Sequence, residues 1–209
     1  MEKKNREFII QNLMVEGFIE NYNQEMVLEE MEETGRSELK VRLLADNNLC
    51  ITNVDKKKTD IQFFQRDKVL SMYKRVDHII FEHKDDDCWK LYLIEMKSSI
   101  GQGKWTEIKG KFRASYLLAK AVAGMLELKI AETVMCTTFE KVQFAPPDTM
   151  PVARRAGVGK QMIKMEQEWS GQCLRLNLGE LVSFVHIPIQ MTRNRKGILV
   201  GTLVEACSA

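Results

Sequence analysis

Apolar positions recur along this 209-residue chain with either helical or strand spacing, and the spacing predicts the elements. Residues 7–33 are rich in helix formers and carry an imperfect apolar stripe, which predicts a helix. The segment ETGRSE then interrupts the pattern, with Gly35 suited to a helix C-cap and Ser37 to an N-cap. SELKVRLLAD, residues 37–46, predicts a second helix, and NLCITNV, residues 48–54, predicts a short strand.

A hairpin is the clearest prediction. VDHIIFEH, residues 76–83, and WKLYLIEMK, residues 89–97, have the composition of strands, and KDDD between them is a run of turn formers. Folding the chain about Asp86 places Asp77 opposite Glu95, because the two residues are equally distant from it. A slip of one residue would move every side chain to the other face, so this register is a specific prediction.

A long helix and a parallel strand are predicted next. Residues 104–130 have the spacing of a core-facing helix, with the stripe Ile108, Phe112, Ser115, Ala119, Val122 and Leu126. Because this helix separates the strand ETVMCTTF, residues 132–139, from the strand before it, the two strands can be parallel neighbours. A further helix is predicted at 157–168 and an apolar strand at 181–189, whereas residues 61–73 fit a helix or a strand equally well.

These elements predict an α/β protein with a central mixed β-sheet flanked by helices. Residues 1–36 are expected to form an N-terminal helical segment and residues 37–145 the core. Residues 146–209 are expected to be an extension packed on the same domain.

Composition narrows the class of protein. The formal net charge of +2 is close to neutral, so attraction for polyanions must come from local patches. The five cysteines form no CxxC pair, which argues against a disulfide framework or a zinc site and favours a reducing, cytoplasmic compartment. The charged start lacks the apolar run of a secretory signal, and the longest apolar stretch is too short to span a bilayer, so no membrane partner is expected.

The end of the hairpin carries the candidate chemistry. Asp77 and Glu95 would repel each other across the strands and need a counter-charge, for which a divalent cation is well suited. Mg²⁺ takes oxygen ligands, which the two carboxylates and the backbone carbonyl of Met96 can supply. Lys97 shares the face of Glu95 and would lie beside a metal-bound water or a phosphate. The expected reaction is hydrolysis of a phosphodiester bond.

The order of elements and these residues resemble the PD-(D/E)XK nuclease superfamily, which has a restriction-endonuclease-like αβββαβ core. The resemblance covers about residues 37–144, with one departure at Val76, where the family has proline. It implies a nuclease that acts on DNA or RNA with Mg²⁺ or Mn²⁺, in which Asp77 and Glu95 bind the metal and Lys97 assists the water. Small nucleases of this type often form dimers, so a homodimer is a candidate assembly.

Many members of that superfamily have a further acid on the first helix. The resemblance makes Glu38 the candidate for this metal ligand, with Glu30 and Glu33 as rivals.

A basic stripe on the long helix follows directly after the predicted site, and it is a candidate for contact with the phosphate backbone. Its members are Lys109, Arg113, Tyr116 and Lys120.

Three alternatives remain open. The chain could be a non-catalytic module of the same fold that binds nucleic acid or protein. It could be a structural protein whose hairpin pairs with another subunit. The third is a solvated Glu–Lys pair at a strand end with an unrelated Asp77.

Overall fold

The computed structural model describes residues 3–32, 35–57, 71–84, 88–144 and 164–204. Its helices are α1 (Lys3–Asn12), α2 (Gln102–Met125) and α3 (164–170). Its strands before α2 are β1 (Glu20–Tyr22), β2 (Glu25–Glu32), β3 (Gly35–Arg42), β4 (Asn48–Ile51), β5 (His78–His83), β6 (Cys88–Glu95) and β7 (Ser99–Gly101). Those after α2 are β8 (Lys129–Phe139), β9 (Lys141–Gln143), β10 (Cys173–Asn177), β11 (Leu181–Gln190), β12 (Thr192–Arg193) and β13 (Leu199–Val204).

Seven strands form a central mixed sheet in the order β1-β4-β5-β6-β8-β11-β10. The pairs β6–β8 and β8–β11 are parallel, and the other neighbours are antiparallel. The predicted α/β class and central mixed sheet are therefore confirmed. So is the parallel pairing of β6 with β8, which the helix between them allows.

A four-stranded small sheet, in the order β12-β13-β3-β2, covers one face of the central sheet. Its buried residues Leu28, Leu39 and Val41 belong to the same apolar cluster as Ile80 and Ile94 of the central sheet. Side chains from α1, α2 and α3 contribute instead to the cluster on the opposite face. The prediction of flanking helices thus holds for one face only, because sheet packs on sheet at the other.

The β5–β6 hairpin has the predicted register. His78 pairs with Ile94 and His83 with Trp89, and continuing that register by one position sets Asp77 against Glu95. Residues 85–87 of the turn lie outside the described residues. The hairpin's apolar face packs under α2, and every member of the stripe predicted for that helix is buried.

The two predictions of helix between residues 13 and 46 are wrong. Helix α1 ends at Asn12, and β2 and β3 pair along their length as an antiparallel hairpin, with Gly35 and Ser37 in a strand. In β3 the buried residues Leu39 and Val41 alternate with exposed charged ones, which is strand spacing. The helix propensity of Glu, Met and Leu is small, and pairing with burial outweighs it here.

Strand pairing crosses the expected segment boundaries. The first boundary falls inside β3, and β10 and β11 of the C-terminal segment extend the central sheet. The predicted strand at 181–189 is confirmed as β11. Most of the ambiguous segment 61–73, and residues 157–163 of the helix predicted at 157–168, lie outside the described residues.

Candidate functional site

The carboxylates of Asp77 and Glu95 are held at one end of the β5–β6 hairpin, on the face that packs under α2. Asp77 immediately precedes β5, and Glu95 is the last residue of β6. Asp77 is 1% exposed and Glu95 is fully buried. The alternative of a solvated Glu–Lys pair, and that of a hairpin end with exposed charges, therefore do not describe this site.

Two lysines contact the same oxygen of Glu95. The Nζ of Lys97 lies 3.2 Å from Glu95 Oε1, and the Nζ of Lys111 donates a hydrogen bond to it at 2.7 Å. Glu95 Oε2 is also buried, yet it accepts no hydrogen bond from the residues that the structure describes. Burial raises the pKa of Glu95, against the lowering effect of Lys97 and Lys111. One oxygen of Glu95 is therefore contacted by two ammonium groups, whereas the other is buried and has no hydrogen-bond donor among the described residues.

Asp77 is fixed by backbone contacts. Its Oδ2 accepts a 2.6 Å hydrogen bond from the backbone N–H of Met96, and its own carbonyl accepts one from Val54 N–H. The preceding N–H, of Val76, donates to the hydroxyl of Ser115 on α2 at 2.9 Å. Burial, followed by repulsion from Glu95, raises the pKa of Asp77 well above its ordinary value.

Lys97 is held at the site through its backbone. Its N–H donates to Thr138 Oγ1 at 2.8 Å, and the same hydroxyl donates back to the Lys97 carbonyl at 3.1 Å. Thr138 is buried on β8, the parallel neighbour of β6. The central sheet thus fixes the segment that follows β6, and with it the base of the Lys97 side chain.

Lys111 is a site residue that the sequence predictions missed. Burial lowers its pKa, but the charge and hydrogen bond of Glu95 outweigh this effect, so the net pKa is raised and the ammonium is retained. A signal was present in the sequence. Lys111 lies three residues after Ile108 and four before Ser115, so it is a lysine on the edge of the apolar stripe of α2.

The donors at this site suit a small divalent cation. Two buried carboxylates with raised pKa values, and a buried oxygen without a partner, make a site where added positive charge would be stabilising. Within the described ranges, no three His, Cys, Asp or Glu side chains converge as a complete metal cage. Mg²⁺ commonly binds through one or two carboxylates and takes its other ligands from water and phosphate, so the pair is sufficient for that ion. Met96 follows Glu95 directly, and its carbonyl stays the predicted backbone ligand.

The predicted third acid does not join this pair. Glu38 is on β3 in the small sheet, on the other side of the central sheet, and its Oε1 lies 3.2 Å from Arg36 Nε. Glu30 is in the same small sheet and pairs with Lys56. Glu33 lies outside the described residues. The prediction that Glu38 is a metal ligand on a helix is wrong, because its segment is strand β3 of the small sheet.

The predicted basic stripe of α2 divides into two parts. Lys109 and Arg113 line an open cleft beside α2, and Lys109 also forms an ion pair with Glu168 at 2.8 Å. Tyr116 packs edge-on against Phe184, and the ammonium of Lys120 lies over the Tyr116 ring. Only the first part of the stripe therefore adjoins Lys111 in the cleft.

Comparisons with protein-family models, with curated proteins and with solved structures find no significant match to this chain. No helix within the described parts of the chain is long and apolar enough to cross a membrane.

Proposed function

We propose that this protein is a nuclease that hydrolyses phosphodiester bonds of DNA or RNA with Mg²⁺ or Mn²⁺, on a restriction-endonuclease-like core. The observation that carries the proposal is the buried pair Asp77 and Glu95 beside Lys97 and Lys111, with one Glu95 oxygen lacking a partner. Two buried acids beside two partly buried lysines are costly to fold and are typical of a reaction site.

The order of elements supports the proposal. Helix α1, strands β4, β5 and β6, helix α2 and strand β8 follow one another in the αβββαβ order, with β1, β2 and β3 inserted after α1 and the short β7 inserted before α2. The four strands are also neighbours in this order in the central sheet. The acids lie where β5 begins and β6 ends, as the resemblance implies for Asp77 and Glu95.

The acids and the lysines have different tasks in the proposed reaction. The carboxylates of Asp77 and Glu95 would hold the cation, which supplies charge neutralisation at the phosphate and a more acidic water. The pKa of Lys111 is raised beside Glu95, so it keeps its charge, and Lys97 and Lys111 would stabilise the negative charge that develops on the phosphate. Thr138 positions Lys97 by fixing its backbone.

The test is incubation of the purified chain with plasmid DNA, single-stranded DNA and RNA, with and without Mn²⁺. We expect cleavage of at least one polymer that requires the metal and is lost in Lys97→Ala and Glu95→Gln. A folded protein that binds nucleic acid but cuts none of the three would instead identify the non-catalytic module.

A further inference from the structure

We infer that the cleft beside α2 binds a single nucleic-acid strand with unpaired bases and leads it to the site. This inference rests on the proposed function and names its substrate class. The cleft has a volume of about 710 Å³. Its lining residues include Lys74, Lys111, Arg113, Arg175, Leu176 and Leu181.

The cleft is connected to the site through Lys111. This residue lines the cleft and also donates its hydrogen bond to Glu95. A phosphate that contacts the lysine from the cleft would therefore be next to the buried carboxylates. An adjoining cavity of about 560 Å³ shares Lys109, Arg175 and Leu181 with the cleft, so the groove continues past α2 towards β10 and β11.

Positive charge is concentrated along this groove. Lys74, Lys109, Lys111, Arg113 and Arg175 line it, against the carboxylates of Glu107 and Glu168. The net charge of the whole chain is only +2, so this is a local patch of the kind that binds a phosphate backbone.

The groove also has an apolar part. Met165, Leu176 and Leu181 are among its lining residues, and of these Leu181 is 72% exposed whereas Leu176 is buried. In a duplex the bases are stacked inside and only phosphates and groove edges meet a protein. Unpaired bases, in contrast, can rest on an apolar surface while their phosphates face lysine and arginine.

Size favours a single strand as well. Cavities of a few hundred to about 1,000 Å³ enclose small ligands, so this cleft suits roughly one or two nucleotides and not the width of a duplex. The lining combines positive charge with apolar surface, so we expect binding with little dependence on sequence.

Glu168 acts as an internal competitor for this strand. It accepts hydrogen bonds from Lys109 through both oxygens, at 2.8 and 2.9 Å, and from the backbone N–H of Arg175 at 3.0 Å. A phosphate that binds to Lys109 must displace this carboxylate. Glu168→Gln keeps an acceptor for Arg175 N–H but removes the charge, so it should tighten binding of the strand.

The experiment is fluorescence anisotropy in EDTA with labelled oligomers of about 20 nucleotides, a length above the usual site size of one binding domain. The probes are oligo-dT, oligo-U and a duplex of equal length. We expect both single strands to bind the wild-type chain about tenfold more tightly than the duplex, since only they offer bases to the apolar wall. Equal or tighter binding of the duplex would overturn the inference.

Three variants separate the parts of the groove. Arg175→Ala should weaken oligo-dT binding and reduce the slope of log affinity against log salt by about 0.7, the value for one phosphate contact on a single strand. Leu181→Ser should weaken binding without changing that slope. Arg42→Ala is the matched control, because Arg42 is an exposed arginine on the small sheet. If the Arg175→Ala and Arg42→Ala variants bind oligo-dT equally tightly, and thermal melting shows that both are folded, the groove is not the binding site.

The anisotropy measurement does not depend on catalysis, because EDTA removes divalent metal ions. Preference for a single strand without cleavage in Mn²⁺ would defeat the proposed function alone. Cleavage of duplex DNA with no preference for single strands would defeat the inference alone.

Discussion

Two fully buried glutamates lie on the same hairpin, and they differ in how their oxygens are satisfied. Glu82 on β5 accepts hydrogen bonds from the Tyr92 hydroxyl at 3.1 Å and from Leu44 N–H at 3.0 Å, and Lys84 lies 3.1 Å from it. Both of its oxygens have partners. Glu95 on β6 has two lysines on one oxygen and, among the described residues, no hydrogen-bond donor on the other.

The difference separates a structural acid from a candidate functional one. Glu82 joins the central sheet to the chain after β3 and completes its contacts within the fold. A buried oxygen without a donor, as in Glu95, costs free energy in the folded protein. Among the described residues, Glu30 Oε2 on the small sheet also lacks a partner, but only at Glu95 does a second buried acid, Asp77, lie beside it. Glu82 is therefore the matched control for Glu95.

The largest expected effect is on cleavage. Glu95→Gln should reduce metal-dependent cleavage about a thousandfold, equivalent to about 4 kcal/mol, because the amide cannot supply the charge that holds the cation. Glu82→Gln should leave the cleavage rate close to that of wild type. Rates on the substrate found to be cut, at saturating Mn²⁺, provide the measurement. Equal losses in both variants would remove the distinction between the two acids.

Stability should show the reverse order. Glu82→Ala should lower the free energy of unfolding by about 3 kcal/mol, because it removes a fully buried acceptor that the Leu44 N–H, the Tyr92 hydroxyl and the Lys84 ammonium all contact. Glu95→Ala should cost less without metal, since it also removes a buried oxygen that has no hydrogen-bond donor among the described residues. Urea unfolding in EDTA measures both, with Glu82→Gln as the conservative control. A larger loss for Glu95→Ala would contradict the comparison.

The two lysines of α2 offer a finer contrast. Lys111→Met should slow cleavage about a hundredfold, in the range seen when one donor to a developing negative charge is removed. Lys109→Met should slow it only about threefold, as expected for loss of a partly solvated contact of about 0.6 kcal/mol. Both methionines preserve the helix and the aliphatic stem, so a loss of cleavage is separated from a loss of folding. Identical rates for the two variants would place Lys111 outside the reaction.

The smallest effect is the dependence of stability on pH. The pKa values of Asp77 and Glu95 are raised in the folded protein, so folding favours their protonated forms. The stability that they contribute is present at low pH and is lost as pH rises through the raised pKa values. In EDTA, Asp77→Asn should therefore gain melting temperature relative to wild type as pH rises, and Mn²⁺ should abolish this difference by binding the ionised pair. A difference that does not change with pH would show that the acids titrate normally.

The hairpin and its register could be predicted from sequence because two apolar strands flank a run of turn formers. The position of Asp77 against Glu95 then follows from counting residues. Helix α2 could also be predicted from sequence, since its apolar stripe from Ile108 to Leu126 has unbroken helical spacing.

Two other features were not predicted. Strands β2 and β3 contain Glu, Met and Leu, which favour a helix when judged from sequence alone. Their alternation of apolar and polar residues is stabilised as a strand pattern only when the strands pair with each other and pack on Ile80 and Ile94. Lys111 approaches Glu95 from sixteen residues away, across a helix crossover, so its contact depends on tertiary packing. The two hydrogen bonds between Thr138 and the Lys97 backbone also depend on tertiary packing, because Lys97 follows β6 and Thr138 lies on its parallel neighbour β8.

The central claim is that Asp77 and Glu95 hold a divalent cation, and calorimetric titration with Mn²⁺ tests it most directly. The account predicts saturable binding to wild type and to Glu82→Gln, and no saturable binding to Glu95→Gln or Asp77→Asn. Binding that persists unchanged in Glu95→Gln, or that is absent from the folded wild-type chain, would contradict it.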